Sequence, residues 1–255
     1  MRWTLKPKPN PKIVKSLADS LQIDVPIASL LVQRGIENFE DAKSFFRPSL
    51  DHLHDPYLMK DMDKAVVRIQ HAIANNENIL VYGDYDVDGT TSVALMSSYL
   101  KTKTPLVATY IPDRYGEGYG VSYPYKELCG CGVGFKLIQA LAEKDGQTIN
   151  DLLPYLDLVA TAIGADIVPI TGENRVLAYH GLKVVNQKSR AGFRAIINQL
   201  KKDTLTITDV VFTIAPRINA AGRMKHGQYA VDLLTEIDFD TAVTYAEEIE
   251  AFNSD

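Results

Sequence analysis

An α/β fold built on a parallel sheet is predicted by two observations. The apolar run Ile79-Leu80-Val81-Tyr82 is bracketed by segments with helical spacing of apolar residues, and a second apolar run, Leu106 to Ile111, follows the second of those segments. The order strand, loop, helix, strand is a βαβ unit, which joins parallel neighbours through a crossover. A third observation concerns chemistry: three aspartates, Asp84, Asp86 and Asp88, leave the end of the first strand at alternate positions.

The elements follow in chain order. Residues 1–60 read as a helical lead: Lys12 to Leu21, then Asp24 capping a turn started by Pro26 and closed near Gly35, then Asn38 to Phe46 ended by Pro48. Residues 61–205 read as the α/β core. Asp63 to Asn75 carries Ala65, Val66, Ile69, Ala72 and Ile73 at helical spacing and runs into the first strand. Thr90 to Leu100 is helical, the second strand follows, and helices are expected over Gly132 to Glu143, Thr148 to Ala165, Asn174 to Gln187 and Gly192 to Lys201. Residues 206–255 read as a helical segment, with Thr208 to Ile214 and Asp240 onward helical, leading toward a further domain that the sequence does not contain. Two strands are too few for a stable open parallel sheet, so part of the sheet is expected to be missing.

Composition narrows the setting. A length of 255 residues is enough to bury a hydrophobic core. Cys129 and Cys131, one residue apart, are too close for an ordinary disulfide and lack the partners of a zinc site, which suits a reducing, cytoplasmic compartment. No apolar stretch is long enough to span a bilayer, and Met1 to Pro11 has no apolar leader region. The formal charge of -5 excludes coating of nucleic acid by bulk positive field, yet charge is segregated. Six basic residues and no acid lie between Lys183 and Lys202, whereas no Lys or Arg follows Lys225. The basic stretch serves either as a solvated face or as a set of local phosphate contacts.

The acidic loop Gly83-Asp84-Tyr85-Asp86-Val87-Asp88-Gly89 carries most of the information. Three carboxylates this close repel one another unless a cation neutralises them, and oxygen-only ligands favour hard ions such as Mg2+ or Mn2+. A calcium EF-hand fails, because its twelfth position is Leu95 rather than Glu and a strand precedes it. A dehalogenase-like phosphatase would make Asp86 the nucleophile and Asp88 its acid-base partner, but it leaves Asp84 without a role. A simple acidic helix cap explains one aspartate and not three.

The string from Ile79 to Leu95, I-L-V-Y-G-D-Y-D-V-D-G-T-T-S-V-A-L, resembles the first motif of the DHH phosphoesterase superfamily, and most closely its single-stranded-DNA exonuclease branch, RecJ. Further segments are similar in the same order: Ile111-Pro112-Asp113-Arg114 with Glu117-Gly118-Tyr119-Gly120, then Asp157-Leu158-Val159-Ala160 through Ala165-Asp166-Ile167-Val168-Pro169, and finally Pro216-Arg217-Ile218-Asn219-Ala220-Ala221-Gly222-Arg223-Met224. The resemblance implies a metal-dependent 5′ to 3′ exonuclease acting on single-stranded DNA in repair and recombination, alongside repair or replication proteins. It makes Asp84, Asp86, Asp88 and Asp166 the catalytic and Mn2+ or Mg2+ ligands, with Asp157 as a further ligand or a helix cap. Arg114, Arg217, Asn219 and Arg223 become the substrate or phosphate contacts, a role that suits bidentate guanidinium groups.

The sequence departs from that family in one stretch. The second-motif aspartate and the Asp-His-His triplet are expected between the Gly-Tyr-Gly and Tyr-Pro-Tyr segments, which here abut at Ser122 and Tyr123. The five histidines, His52, His54, His71, His180 and His226, include no adjacent pair. The omitted stretch corresponds to roughly 60 residues, at about 30 per βα unit. Weak manganese binding and poor hydrolysis are therefore expected of this chain, with a non-catalytic nucleic-acid or partner-binding scaffold as the alternative.

Overall fold

The computed structural model of the chain describes residues 5–111, 127–200, 202–224 and 227–253. These divide into two compact units, Met1–Leu53 and His54–Asp255. The first unit consists of α1 (Pro11–Leu21), α2 (Val25–Val32), α3 (Phe39–Phe46) and a 3-10 turn, Leu50–His52. Asn10 starts α1 by accepting the Lys12 N–H, and Asn38 starts α3 by accepting the Asp41 N–H. Val14, Leu17, Ala28, Leu31, Ile36 and Ala42 form this unit's own core.

The second unit begins with a 3-10 turn, Pro56–Leu58, and α4 (Met62–Ala74). Then come β1 (Ile79–Tyr82), α5 (Val87–Lys101) and β2 (Val107–Tyr110). The strands pair in parallel, with Ile79 opposite Val107 and Tyr82 opposite Tyr110, and among the described residues they are the whole sheet. The expected βαβ unit is present. Helix α5 starts three residues before the expected Thr90, because Asp86 caps it. It is the hub of the unit, packing on both strands, on α6 (Gly130–Lys144), on α7 (Leu156–Ala165) and on α12 (Gly227–Thr235).

Helix α7 is buried from Leu156 to Gly164 and lies against α8 (Gly172–Gln187). The expected single helix from Thr148 to Ala165 is instead a 3-10 segment, Ile149–Tyr155, followed by α7; Pro154 lies in that segment and has no N–H for an α-helical bond. After α9 (Ala191–Asn198), the short α10 (Ile207–Asp209) opens into a π-helical turn, Val210–Ile214, that continues into α11 (Ala215–Met224). Pro216 sits where the π-helical turn passes into α11. Helix α13 (Phe239–Asn253) packs on α9 and α11.

One buried polar cluster ties the second unit to its own beginning. Lys136 of α6, only 1% exposed, donates through Nζ to the His54 carbonyl (2.5 Å), Gln139 Oε1 (2.9 Å) and Glu173 Oε1 (3.0 Å). Glu173 Oε1 also accepts the His54 N–H at 2.9 Å. Cys129 and Cys131 are free and buried. No helix among the described residues is long and apolar enough to cross a membrane.

Candidate metal centre

The acidic loop leaves the carboxyl end of β1, the edge at which open α/β sheets bind ligands. Each aspartate is held differently. Asp84 Oδ1 accepts the Tyr85 N–H at 2.7 Å. Asp86 is the N-cap of α5, its Oδ1 accepting the Gly89 N–H at 2.7 Å. Asp88 reaches across to the first turn of α6, where Oδ2 accepts the Gly130 N–H at 2.7 Å and Oδ1 the Cys131 N–H at 2.9 Å. A carboxylate on two helix N-terminal donors is favourably placed for charge and for hydrogen bonding.

Two glycines make this geometry possible. A Cβ on Gly89 would lie 2.3 Å from the Asp84 carbonyl oxygen, and one on Gly130 would lie 2.6 Å from Asp88 Oδ2. The hydroxyls that follow the loop turn back onto α5 itself: Thr90 onto the Asp86 carbonyl, Thr91 onto Val87 and Ser92 onto Asp88, at 2.8, 2.6 and 2.5 Å.

Asp166 is the C-cap of α7, and its charge acts on the loop carboxylates. Burial raises the Asp86 carboxyl above its usual range, the Gly89 N–H opposes the rise, and the charges of Asp84, Asp88 and Asp166 add to it. Asp166 is raised too, by burial and then by Asp88. Burial, and next the Asp88 charge, push both cysteine thiols upward, which disfavours the thiolate.

The other sequence candidates are placed elsewhere or are engaged. Asp157 does not join the loop carboxylates. It is fully buried in the first turn of α7, where Arg190 donates from Nε to Oδ2 and from Nη2 to Oδ1, each at 2.9 Å. Arg217 is gripped by Glu250 of α13, with Nη2 donating to Oε1 at 2.9 Å and Nε 2.7 Å from Oε2. Asn219 is half-buried on α11. Arg114, Tyr119, the Ser122–Tyr123 junction and the side chain of Arg223 lie outside the described residues.

Sequence reasoning missed the backbone donors of Gly130 and Cys131, and it read Arg190 as one member of a basic run. Much of that run is engaged within the protein. Lys183 lies 4.1 Å from the Tyr179 ring centroid, Arg194 lies 4.6 Å from that of Phe239, and Lys202 donates to Asp209.

In donor type and charge, Asp84, Asp86, Asp88 and Asp166 suit a hard cation such as Mn2+ or Mg2+. In arrangement they fall short. Among the described residues, no three His, Cys, Asp or Glu side chains are grouped so as to hold a metal ion.

Comparison with known proteins agrees with the geometry. The chain is similar to the single-stranded-DNA-specific exonuclease RecJ of Bacillus subtilis (strain 168), at 33% identity over all of this chain and 40% of that protein. It superposes on the crystal structure of RecJ from Thermus thermophilus in complex with Mn2+ with a TM-score of 0.82, at 25% identity, over 97% of this chain and 44% of the other. The chain has a RecJ-type, DHH-family fold. A second solved structure, exonuclease RecJ bound to manganese, matches with a TM-score of 0.72 at 27% identity over 81% of this chain and 68% of that one. No family model matches the chain. It spans less than half the length of the Bacillus subtilis RecJ. The RecJ-type fold replaces the dehalogenase-like alternative, and Asp86 is a helix cap on it.

Proposed function

We propose that this chain is the core of a metal-dependent exonuclease that hydrolyses phosphodiester bonds of single-stranded DNA from the 5′ end, in an impaired form that holds Mn2+ or Mg2+ weakly. What supports this reading is the acidic loop at the carboxyl edge of a RecJ-type sheet, where the charges of Asp84, Asp88 and Asp166 all act on Asp86. The relatives are named for single-stranded DNA, and the matching structures hold manganese. The polarity, and service in repair and recombination beside other proteins, come from the family resemblance.

No step through a bound cation follows from so incomplete a ligand set. What this chain's own residues do is fix the loop: Gly89 lets it fold back on Asp84, and α6 anchors Asp88. The lack of a three-ligand group among the described residues also favours a second reading, a scaffold that binds nucleic acid without cutting it.

The test is a manganese titration followed calorimetrically, together with nucleotide release from single-stranded DNA. Weak binding of one ion, with release no faster than in EDTA, is the expected result. Two tightly bound ions and rapid release would overturn the impaired reading. Retention of single-stranded DNA in EDTA would select the scaffold.

A further inference from the structure

Two large apolar side chains stand in solvent near the end of α7 that carries Asp166. Ile167, the next residue, is 82% exposed, and Phe212, in the π-helical turn, is 75% exposed. That turn lies against the same end of α7. A Cβ on Gly164, two residues before Asp166, would meet Val211 Cγ2 at 3.3 Å and Val210 Cγ1 at 3.5 Å.

Ile167 is held there at a cost. Its φ is +54°, in the left-handed region that a β-branched side chain adopts only under strain. Just past a helix end, that conformation ordinarily belongs to glycine or asparagine. The isoleucine gains little from burial in exchange, since most of its surface faces solvent. Backbone strain of this kind clusters at ligand clamps and active sites, and π-helical turns gather at functional sites too. Arg217, five residues after Phe212, donates from Nη1 to the Thr213 carbonyl at 2.9 Å, which sets a guanidinium against the backbone beside Phe212.

Two side chains are too few for a protein partner, whose stable interfaces bury about 1,200–2,000 Å2 in all. A flat ring needs only one or two apolar side chains against its faces, and single-stranded nucleic acid offers such rings along a phosphate backbone. We propose that Ile167 and Phe212 are base-contact residues for single-stranded DNA, Phe212 as a stacking platform and Ile167 as an apolar wedge. The inference rests on the reading of this chain as one that binds single-stranded DNA, and it adds the residues that meet bases rather than phosphates.

The test is fluorescence anisotropy in Mn2+ with cleavage-resistant phosphorothioate strands of equal length, an oligodeoxythymidylate and its abasic counterpart. Phe212→Ala is expected to weaken binding of the thymidylate strand by about tenfold, as loss of one stacked base would. Ile167→Asn, which suits a left-handed backbone, is expected to weaken it by about threefold or more, with a melting temperature no lower than that of the wild-type chain. The abasic strand should bind the wild type and both variants equally, and the salt slope should be the same throughout, because no phosphate contact is lost. Unchanged binding of the thymidylate strand by either variant, an equal loss on both strands, or a lower melting temperature for Ile167→Asn overturns the proposal and leaves the nuclease reading in place. Failure of the wild-type chain to bind either strand overturns both.

Discussion

Arg190 holds the fully buried carboxylate of Asp157 through two parallel hydrogen bonds, from Nε and Nη2, each at 2.9 Å. Its Nη1 also donates to the Leu234 carbonyl, so one guanidinium joins α7 to the end of α12. Removing one partner leaves the other charge uncompensated in the interior. Arg190→Ala and Asp157→Ala are each expected to cost about 3–5 kcal/mol in urea unfolding. The double variant should lose less than the sum, and manganese affinity should not follow the loss.

The bridge from Asp88 to α6 makes a separate prediction. Gly130→Ala places a methyl group 2.6 Å from Asp88 Oδ2 and should destabilise the chain by about 1–3 kcal/mol through overpacking. Asp88→Asn turns an N–H2 toward one of the two backbone donors, leaving it unsatisfied at a similar cost of about 1–3 kcal/mol. Thermal melts of the metal-free chain check both.

Asp84→Asn with Asp86→Asn removes two charges and keeps an oxygen for the Tyr85 and Gly89 N–H groups. The wild-type chain should gain about 1.4 kcal/mol in Mn2+ at about ten times its dissociation constant, seen as a rise of a few degrees in Tm. The double variant should show no such rise. An equal rise in both would remove the loop from the metal assignment.

Arg217 can meet a phosphate only by exchanging Glu250 for it. Glu250→Gln is therefore expected to strengthen single-stranded DNA binding, by about tenfold if one charge-assisted hydrogen bond of roughly 1.5 kcal/mol is regained. Fluorescence anisotropy against salt concentration would check this, and the slope should steepen by about one phosphate contact.

Asp209 supplies the pH dependence. The hydrogen bond from Lys202, with further help from Thr206, lowers its carboxyl from the usual 3.8 to about 2. Because the folded value lies below the unfolded one, the contribution is fully present above pH 3.8 and is lost as pH falls through 2. Lys202→Met should flatten stability over that window, and an NMR titration of the Asp209 carboxyl should move upward.

The frame of the second unit was legible because β1, α5 and β2 announce themselves by local apolar pattern. The start of α5 reads three residues late in the sequence, because the cap at Asp86 is not singled out among the three aspartates. What could not be read is the partner of each charge. Asp88 finds its donors 42 residues along the chain, at Gly130, and Asp157 finds Arg190 33 residues along. Backbone N–H groups leave no mark in a sequence, and a basic run looks the same whether it faces solvent or an interior carboxylate. Helix α11 was concealed by Pro216, which reads as a break until the π-helical turn before it is seen to carry the helical path onward.

The Lys136 cluster settles where the second unit can begin. His54, its first residue, is fastened through its carbonyl to α6 and through its N–H to α8. A chain starting at His54 inherits a ready-made anchor at its leading end. Replacing Lys136 with methionine would unmoor that end before it disturbed the helices behind it.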